Sequence, residues 1–244
     1  MRPTVGRDAE LELVDRFLER VPGGTRILVI EGDPGIGKTT VWLEAIGRAE
    51  ARSFRLLKAS PAESEVKLPY AALGDFVGEA FAEIGSALPA PQQRALATAL
   101  LLDDSDEPAD ARTTATAVVS VIAQLAAEGA VVLAIDDVQW LDAASERVLA
   151  FAARRLPENA AVLLSWRSPP LGKLPLGLSA VEDRIDRLRL GRLSLAALHN
   201  LIISRLGISL ARPMLVRVAA ASDGNPFFAL EVPQLATVGS RVDA

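Results

Sequence analysis

Cysteine is absent from these 244 residues, and histidine occurs once, as His199. Disulfides, thiolate metal sites and cysteine nucleophiles are therefore excluded, and neither a histidine-rich metal site nor a Ser-His triad has the parts it needs. A chain without cysteine fits a reducing cytoplasm. Aromatic residues make up only 5%, so a core has to be built from Leu, Val, Ile and Ala. No excess of positive charge exists either: the formal net charge is −5, which supplies no global attraction to nucleic acid or to an anionic membrane. Long apolar runs are missing too. Met1-Arg2-Pro3-Thr4 leads straight into an amphipathic stretch without the roughly 7 to 15 apolar residues of a signal peptide. The least polar stretch, Ala115 to Ala127, holds Thr116, Ser120 and Gln124 and falls short of the roughly 18 residues a span requires. A soluble protein with no membrane partner is expected.

What is present is a globular composition, 50% hydrophobic and 23% charged, long enough for one large domain and a small appendage. Leu13, Val14, Phe17, Leu18 and Val21 recur at helical spacing, which predicts a helix over 8–21 ended by Pro22-Gly23-Gly24. Ile27-Leu28-Val29-Ile30 is apolar at every position, the pattern of a strand buried on both faces of a parallel sheet. Further strands are expected at 54–59, 131–135, 161–165 and, more weakly, 185–190, with helical patterns between them. The interval 61–130 is too long for one crossover and reads as helices near 70–84, 91–101 and 112–127, with the acidic stretch 103–110 as an exposed loop. Strands alternating with helices imply a mostly parallel, doubly wound α/β sheet. After Leu190 strands cease: Ser194 can cap a helix to Leu206, and 212–221 and 226–235 follow as helices, with only the tail 239–244 unanchored. The organisation expected is an N-terminal segment and helix (1–22), a nucleotide-binding domain (23–191) and a helical lid (192–244).

Gly32-Asp33-Pro34-Gly35-Ile36-Gly37-Lys38-Thr39 satisfies the P-loop pattern between an expected strand and an expected helix. Its glycines let backbone N–H groups curl inward toward phosphate oxygens, and the helix that begins there adds the positive end of its dipole. Lys38 would meet the β- and γ-phosphates and the Thr39 hydroxyl would ligate Mg²⁺; Thr40 completes the candidate cradle. Val131 to Asp137 is a buried-strand pattern ending in two carboxylates, which are costly beside a core unless they meet a cation or water. Asp136 is assigned to the metal and Asp137 to the general base; the alternative is that Asp137, with Asp142 and Ser145, caps the helix that runs to Arg155. Asp142 is expected to be such a cap in either case. Arg167, at the end of the fourth strand, reaches the γ-phosphate if that strand neighbours the P-loop strand, and is otherwise a surface arginine. Arg154 and Arg155 are expected to complement a helix dipole, and His199 to be structural.

Together these motifs resemble the STAND branch of the ASCE P-loop ATPases, and in particular the N-terminal AAA-like module of the large ATP-binding LuxR-type (MalT-like) transcriptional regulators. Val5-Gly6-Arg7 looks like the family's Gly-Arg element on the adenine side, with Asp8 where Glu is usual. Ala134 to Asp142 matches its Walker B segment, Arg167 its sensor position, Leu68 to Leu73 a further family stretch, and Gly224-Asn225-Pro226-Phe227-Phe228 the Gly-x-Pro element whose proline contacts adenine. The resemblance implies a five-stranded sheet in the order 5-1-4-3-2 and a small all-helical lid. It also implies ATP and ADP with Mg²⁺ as ligands, and self-association on ATP binding. Family members continue into helical repeats and a DNA-binding helix-turn-helix, so DNA is expected to be reached only indirectly from these 244 residues.

The function expected is a cytoplasmic signalling switch that binds ATP and hydrolyses it slowly to ADP and phosphate. The rival readings are a stand-alone oligomeric ATPase resembling the Orc-type proteins, and a P-loop kinase that passes the γ-phosphate to a small molecule.

Overall fold

The computed structural model describes residues 4–103, 108–167 and 174–231. Its strands are β1 (Thr25–Glu31), β2 (Arg55–Ala59), β3 (Val131–Ile135), β4 (Ala160–Trp166) and β5 (Ile185–Arg189). They form one sheet in the order β2-β3-β4-β1-β5, which is the expected 5-1-4-3-2 read from the other edge, and every neighbouring pair is parallel. The helices are α1 (Asp8–Glu19), α2 (Lys38–Ala51), α3 (Ala71–Ile84), α4 (Ala90–Ala99), α5 (Ala111–Glu128), α6 (Ala143–Ala153), α7 (Leu195–Leu206) and α8 (Arg212–Ser222). Among the described residues, no helix is long and apolar enough to cross a membrane.

The unbroken apolar runs are explained by two separate cores. Ile27, Val29, Leu133, Ile135, Val162 and Leu164 pack with α3, α5 and α6 on one face of the sheet. Leu28, Ile30, Val132, Ala134 and Leu163 pack with α1 and α2 on the other. A strand covered on both faces has no polar phase to show. The edge strands differ: β5 carries Asp186 and Arg187, which pair with Arg20 at 2.5 Å and with Glu31 at 2.6 and 2.9 Å. Those charges give β5 its weak strand signature, and they also guard an open sheet edge.

Three segments depart from expectation. β1 begins at Thr25 rather than Ile27, because the Thr25 hydroxyl donates to the Pro157 carbonyl at 2.9 Å and extends the pairing with β4. Helix α4 stops at Ala99; Leu101 lies beyond it in a left-handed conformation, 88% exposed, with no core to join. The stretch before β5 is a kinked run of 3-10 turns, Pro175–Arg184, instead of an α-helix. Buried Leu174, Leu176 and Leu178 there are spaced by two, not by a helical period, and Pro175 and Gly177 interrupt regular structure.

After β5, α7 and α8 enclose a third apolar cluster of Leu193, Leu198, Ile202, Leu215, Val218 and Ala229, against which Val5 of the N-terminal segment packs. Residues 226–231 are helical; the remainder of the expected helix 226–235, the tail 239–244 and positions 104–107 of the acidic stretch lie outside the described residues. Arg155 donates to the Phe151 carbonyl at 3.2 Å in the last turn of α6, and His199 is half-buried on α7.

Asp142 holds two helices together. Its carboxylate accepts from the Ala144 and Ser145 amides at 3.1 and 2.8 Å, capping α6, and from the Tyr70 and Ala72 amides at 2.9 and 3.4 Å, where α3 begins. Burial pushes its pKa up, but hydrogen bonds from the Ser145 hydroxyl and amide, then from Tyr70 and Ala72, more than offset this and hold it below the ordinary value. Asp142→Ala leaves those buried donors unpaired and is expected to cost about 2–4 kcal/mol, read as a lower urea midpoint. Because the folded pKa is depressed, the part of the contribution that needs the ionised carboxylate is complete above the unfolded value of about 4 and fades as pH falls through the folded one, so the gap between mutant and wild type should narrow in acid.

Candidate functional site

Parallel strands deliver their carboxyl ends to one edge of the sheet, and the candidate residues gather there. β1 runs into the loop 32–37, β3 into Asp136 and Asp137, and β4 into Arg167. In the loop, Gly35 and Gly37 have φ of 74° and 100°, and Gly37 forms the N-cap of α2. The first turn of α2 carries no acidic residue, so its free N–H groups and dipole are left to an outside anion.

Lys38 is the first residue of α2 and is 95% buried; its ammonium donates to the Gly32 and Asp33 carbonyls at 3.1 and 3.0 Å. Desolvation lowers its pKa, partly opposed by Asp137, reinforced by Arg167, and opposed again by Asp136 and Asp33. Among the described residues, no ionic partner of Lys38 lies at contact distance.

Beyond β3, Asp136 is buried, and its Oδ1 accepts from the Ser165 hydroxyl and from the Asp137 amide at 3.1 Å. The Ser165 oxygen in turn accepts from the Asp137 amide at 2.8 Å. Asp137 is left-handed, at φ 44°, which turns its side chain into the cleft. Its carboxylate accepts from the Gln139 side-chain amide at 2.7 Å and lies 3.5 Å from the Arg167 Nε. The Gln139 carbonyl oxygen accepts from the Arg167 backbone at 3.2 Å, so one glutamine ties the ends of β3 and β4 together. The Arg167 guanidinium also lies 5.5 Å from the Trp140 ring centre.

Between this edge and α7 lies a cleft of about 440 Å³. Gly35, Gly37, Lys38, Thr39, Thr40, Asp137 and Arg167 line its sheet side; Leu201, Arg205, Pro226, Phe227 and Leu230 line its helical side. A smaller recess of about 50 Å³ adjoins it, walled by Val5, Arg7, Ile36, Gly37, Thr40, Arg205 and Pro226, among others. Gly6 sits behind this wall at φ 68°, where a Cβ would come within 2.4 Å of the Ala197 Cβ. Of the expected site residues, Gly32, Asp33 and Pro34 contribute carbonyls rather than cleft surface, and Asp136 lies behind Asp137. Arg7, expected beside a base, also turns its guanidinium onto the loop: it donates to the Ile36 carbonyl at 2.8 Å and pairs with Glu10 at 2.8 Å.

The donors near Thr39 suit a magnesium ion sparingly held. Among the described residues no cluster of three or more carboxylate or imidazole side chains could cage a metal. One hydroxyl, from Thr39, and the Asp136 oxygen left without a protein partner match a cation that keeps most of its water and takes phosphate oxygens as further ligands.

Gln139, Ser165, Arg205 and Asn225 carry roles that sequence reasoning did not assign. Ser165 is a polar residue at the end of a buried strand, a detectable signal. Arg205 resembles any basic residue in a last helical turn, and only the folded chain brings it to the cleft.

A family model described as an AAA ATPase domain matches residues 3–165. Among solved structures, the chain is similar to the ORC1 protein of Aeropyrum pernix in complex with DNA (TM-score 0.59, 15% identity, 100% of this chain and 62% of that one). It is also similar to Cdc6p of Pyrobaculum aerophilum (TM-score 0.57, 15% identity, 94% and 60%). A third is AMPPCP-bound DnaA of Aquifex aeolicus (TM-score 0.54, 14% identity, 98% and 64%). The chain spans about three-fifths of the length of these structures, and at such identity the likeness is one of fold. No curated protein sequence matches it.

Since burial penalises a charge at Lys38 and lowers its pKa, Lys38→Met should raise the melting temperature of the ligand-free protein by about 2–4 °C, measured by calorimetry.

Proposed function

We propose that this chain, which belongs to the AAA ATPase domain family, binds ATP with Mg²⁺ at the cleft and hydrolyses it slowly, as the switch module of a LuxR-type STAND regulator. The observation that carries nucleotide binding is the Lys38 ammonium, which among the described residues is satisfied only by its own loop's carbonyls at 3.1 and 3.0 Å, at the head of a helix whose first turn is free of acid, in one cleft with Asp137 and Arg167. A triphosphate placed there exchanges two neutral acceptors for charged ones, which make stronger hydrogen bonds. The N–H groups of the loop and of the first turn of α2 supply the rest of the cradle.

Thr39 and Asp136 would hold the magnesium ion, which when bound neutralises charge on the β- and γ-phosphate oxygens. For hydrolysis, a water in line with the γ-phosphorus loses its proton to Asp137 as the bond to the leaving β-phosphate oxygen breaks, giving ADP and phosphate. Asp137 is poised for this by Gln139, and its Arg167 neighbour is a cation that the γ-phosphate would compete for. Val5, Gly6, Arg7 and Pro226 belong to the adenine side in this reading. The 50 Å³ recess is too small for a purine, so base entry would require α7, α8 and the stretch 226–231 to move relative to the sheet. Such movement responds to nucleotide only to the extent that one arrangement binds it better. In this reading the switch acts in the cytoplasm.

The solved structures it resembles favour a second reading, an Orc-like ATPase that assembles in a nucleotide-dependent way on DNA: one is described as DnaA bound to AMPPCP and single-stranded DNA, another as ORC1 in complex with DNA. Native mass spectrometry with and without ATP and duplex DNA tests the second reading. A monomer in every nucleotide state opposes it; assembly with ATP alone fits both readings, and assembly with ATP that also retains DNA supports the second over the switch.

Calorimetric titration tests the shared premise. Lys38→Met, though more stable, should bind Mg-ATP roughly ten- to a hundredfold more weakly through loss of a charge-assisted hydrogen bond worth about 1.5–3 kcal/mol. Asp137→Asn should keep wild-type affinity while phosphate release slows by about a hundredfold or more. Equal affinity in wild type and Lys38→Met would defeat the phosphate cradle, whereas undiminished turnover in Asp137→Asn would defeat only the choice of base.

A further inference from the structure

The helical side of the cleft is bonded to the phosphate loop itself. The Asn225 side-chain amide donates to the Pro34 carbonyl at 2.9 Å, across 191 positions of sequence. The Phe227 backbone N–H divides itself between the Asn225 side-chain oxygen at 3.0 Å and the Gly35 carbonyl at 3.3 Å. Pro226 has no N–H to give, so Phe227 is the first donor of the helical stretch 226–231. A loop that turns its N–H groups inward to a ligand presents carbonyls outward, and two of those carbonyls are taken here by residues 225 and 227.

The approach is close enough to require glycine at position 35. A Cβ there would stand 2.7 Å from the Phe227 Cβ and 3.1 Å from the Asn225 Oδ1. Residues 223–225 are themselves anchored to the segment that follows β5: the Leu193 N–H donates to the Gly224 carbonyl at 2.9 Å, and Arg192 pairs with Asp223. The two halves of the Asn225 amide thus have separate duties. Its oxygen caps the stretch 226–231, and its NH₂ group grips the loop.

We propose that Asn225 is a positioning residue of the nucleotide site: its NH₂ group fixes the outer side of the P-loop to the helical side, so that the loop and the stretch 226–231 move as one unit. Whatever tightens the loop around a phosphate therefore also fixes residues 226–231, and their release loosens the loop. This inference rests on the nucleotide-binding reading for its ligand, while the latch itself exists without one.

Asn225→Asp separates the two duties. It keeps a capping oxygen and sets a carboxylate oxygen against the Pro34 carbonyl in place of a donor. The variant should melt close to wild type yet bind Mg-ATP about three- to tenfold more weakly, the size of one net hydrogen bond. Hydrogen exchange supplies the readout that a merely structural role would leave unmoved. In wild type, Mg-ATP should slow exchange in peptides covering both 32–40 and 224–231; in Asn225→Asp, bound ATP should still slow 32–40 as in wild type but protect 224–231 several-fold less, leaving only what direct contact supplies. Ligand protection of 224–231 that is undiminished in the variant, or is missing from ATP-bound wild type, overturns the proposal. If wild type binds no nucleotide, the functional reading fails, and the latch is then judged without ligand: faster exchange of 32–40 in Asn225→Asp than in wild type upholds it, and equal exchange overturns it.

Discussion

The constraint on which the structure depends is the parallel register of β1, β3 and β4. Glu31 lies opposite Trp166, and Ile135 opposite Leu164, so the residue after each strand emerges at the same edge. Loop 32–37, Asp136-Asp137 and Arg167 become neighbours for that reason alone. A parallel sheet needs both faces covered, and α1 with α2 on one side and α3, α5 and α6 on the other meet this need with separate cores. With its faces occupied by packing, the sheet has only its ends free for chemistry. The bidentate Glu31–Arg187 pair at the last residue of β1 fixes the base from which the loop departs.

Polar groups at this edge satisfy one another, and that shapes what the site can do. Ser165 serves Asp136 and the Asp137 amide together; Gln139 serves Asp137 with its NH₂ group and the Arg167 backbone with its carbonyl. Such a network fixes the carboxylates relative to β4 without using Lys38. The lysine is therefore held by loop carbonyls alone, an arrangement that costs stability and leaves the ammonium available.

Much of the fold could be read from the chain because its signals are local: unbroken apolar strands, a Gly-rich loop between strand and helix, Ser194 before α7. The 3-10 run before β5 escaped, since its leucines are placed by the core they enter and not by a helical repeat. Within the site, the loop and the paired carboxylates announce themselves, because phosphate and metal chemistry confines residue type and spacing. What stayed hidden was long-range. Asp142 reads as the cap of α6, and nothing local tells that it also receives Tyr70 from 72 positions away. Arg7 carries no mark that it would be spent on the Ile36 carbonyl, nor Asn225 that it would reach Pro34.

Charge accounting in the cleft bears on whether the site suits a switch or a fast enzyme. Arg167 already has Asp137, Arg7 has Glu10 and the Ile36 carbonyl, and Lys38 has two carbonyls; among the described residues only Arg205 meets the cleft with no partner. An incoming anion must displace most of what these cations already hold, so its binding free energy is a difference between two satisfied states. Only contacts stronger than those displaced survive that subtraction, as where a phosphate oxygen would replace the neutral carbonyls at Lys38. Arg205 lines the cleft from α7, on the helical side, so an ion pair with a bound anion would break no ion pair already made and would depend on where that helix sits.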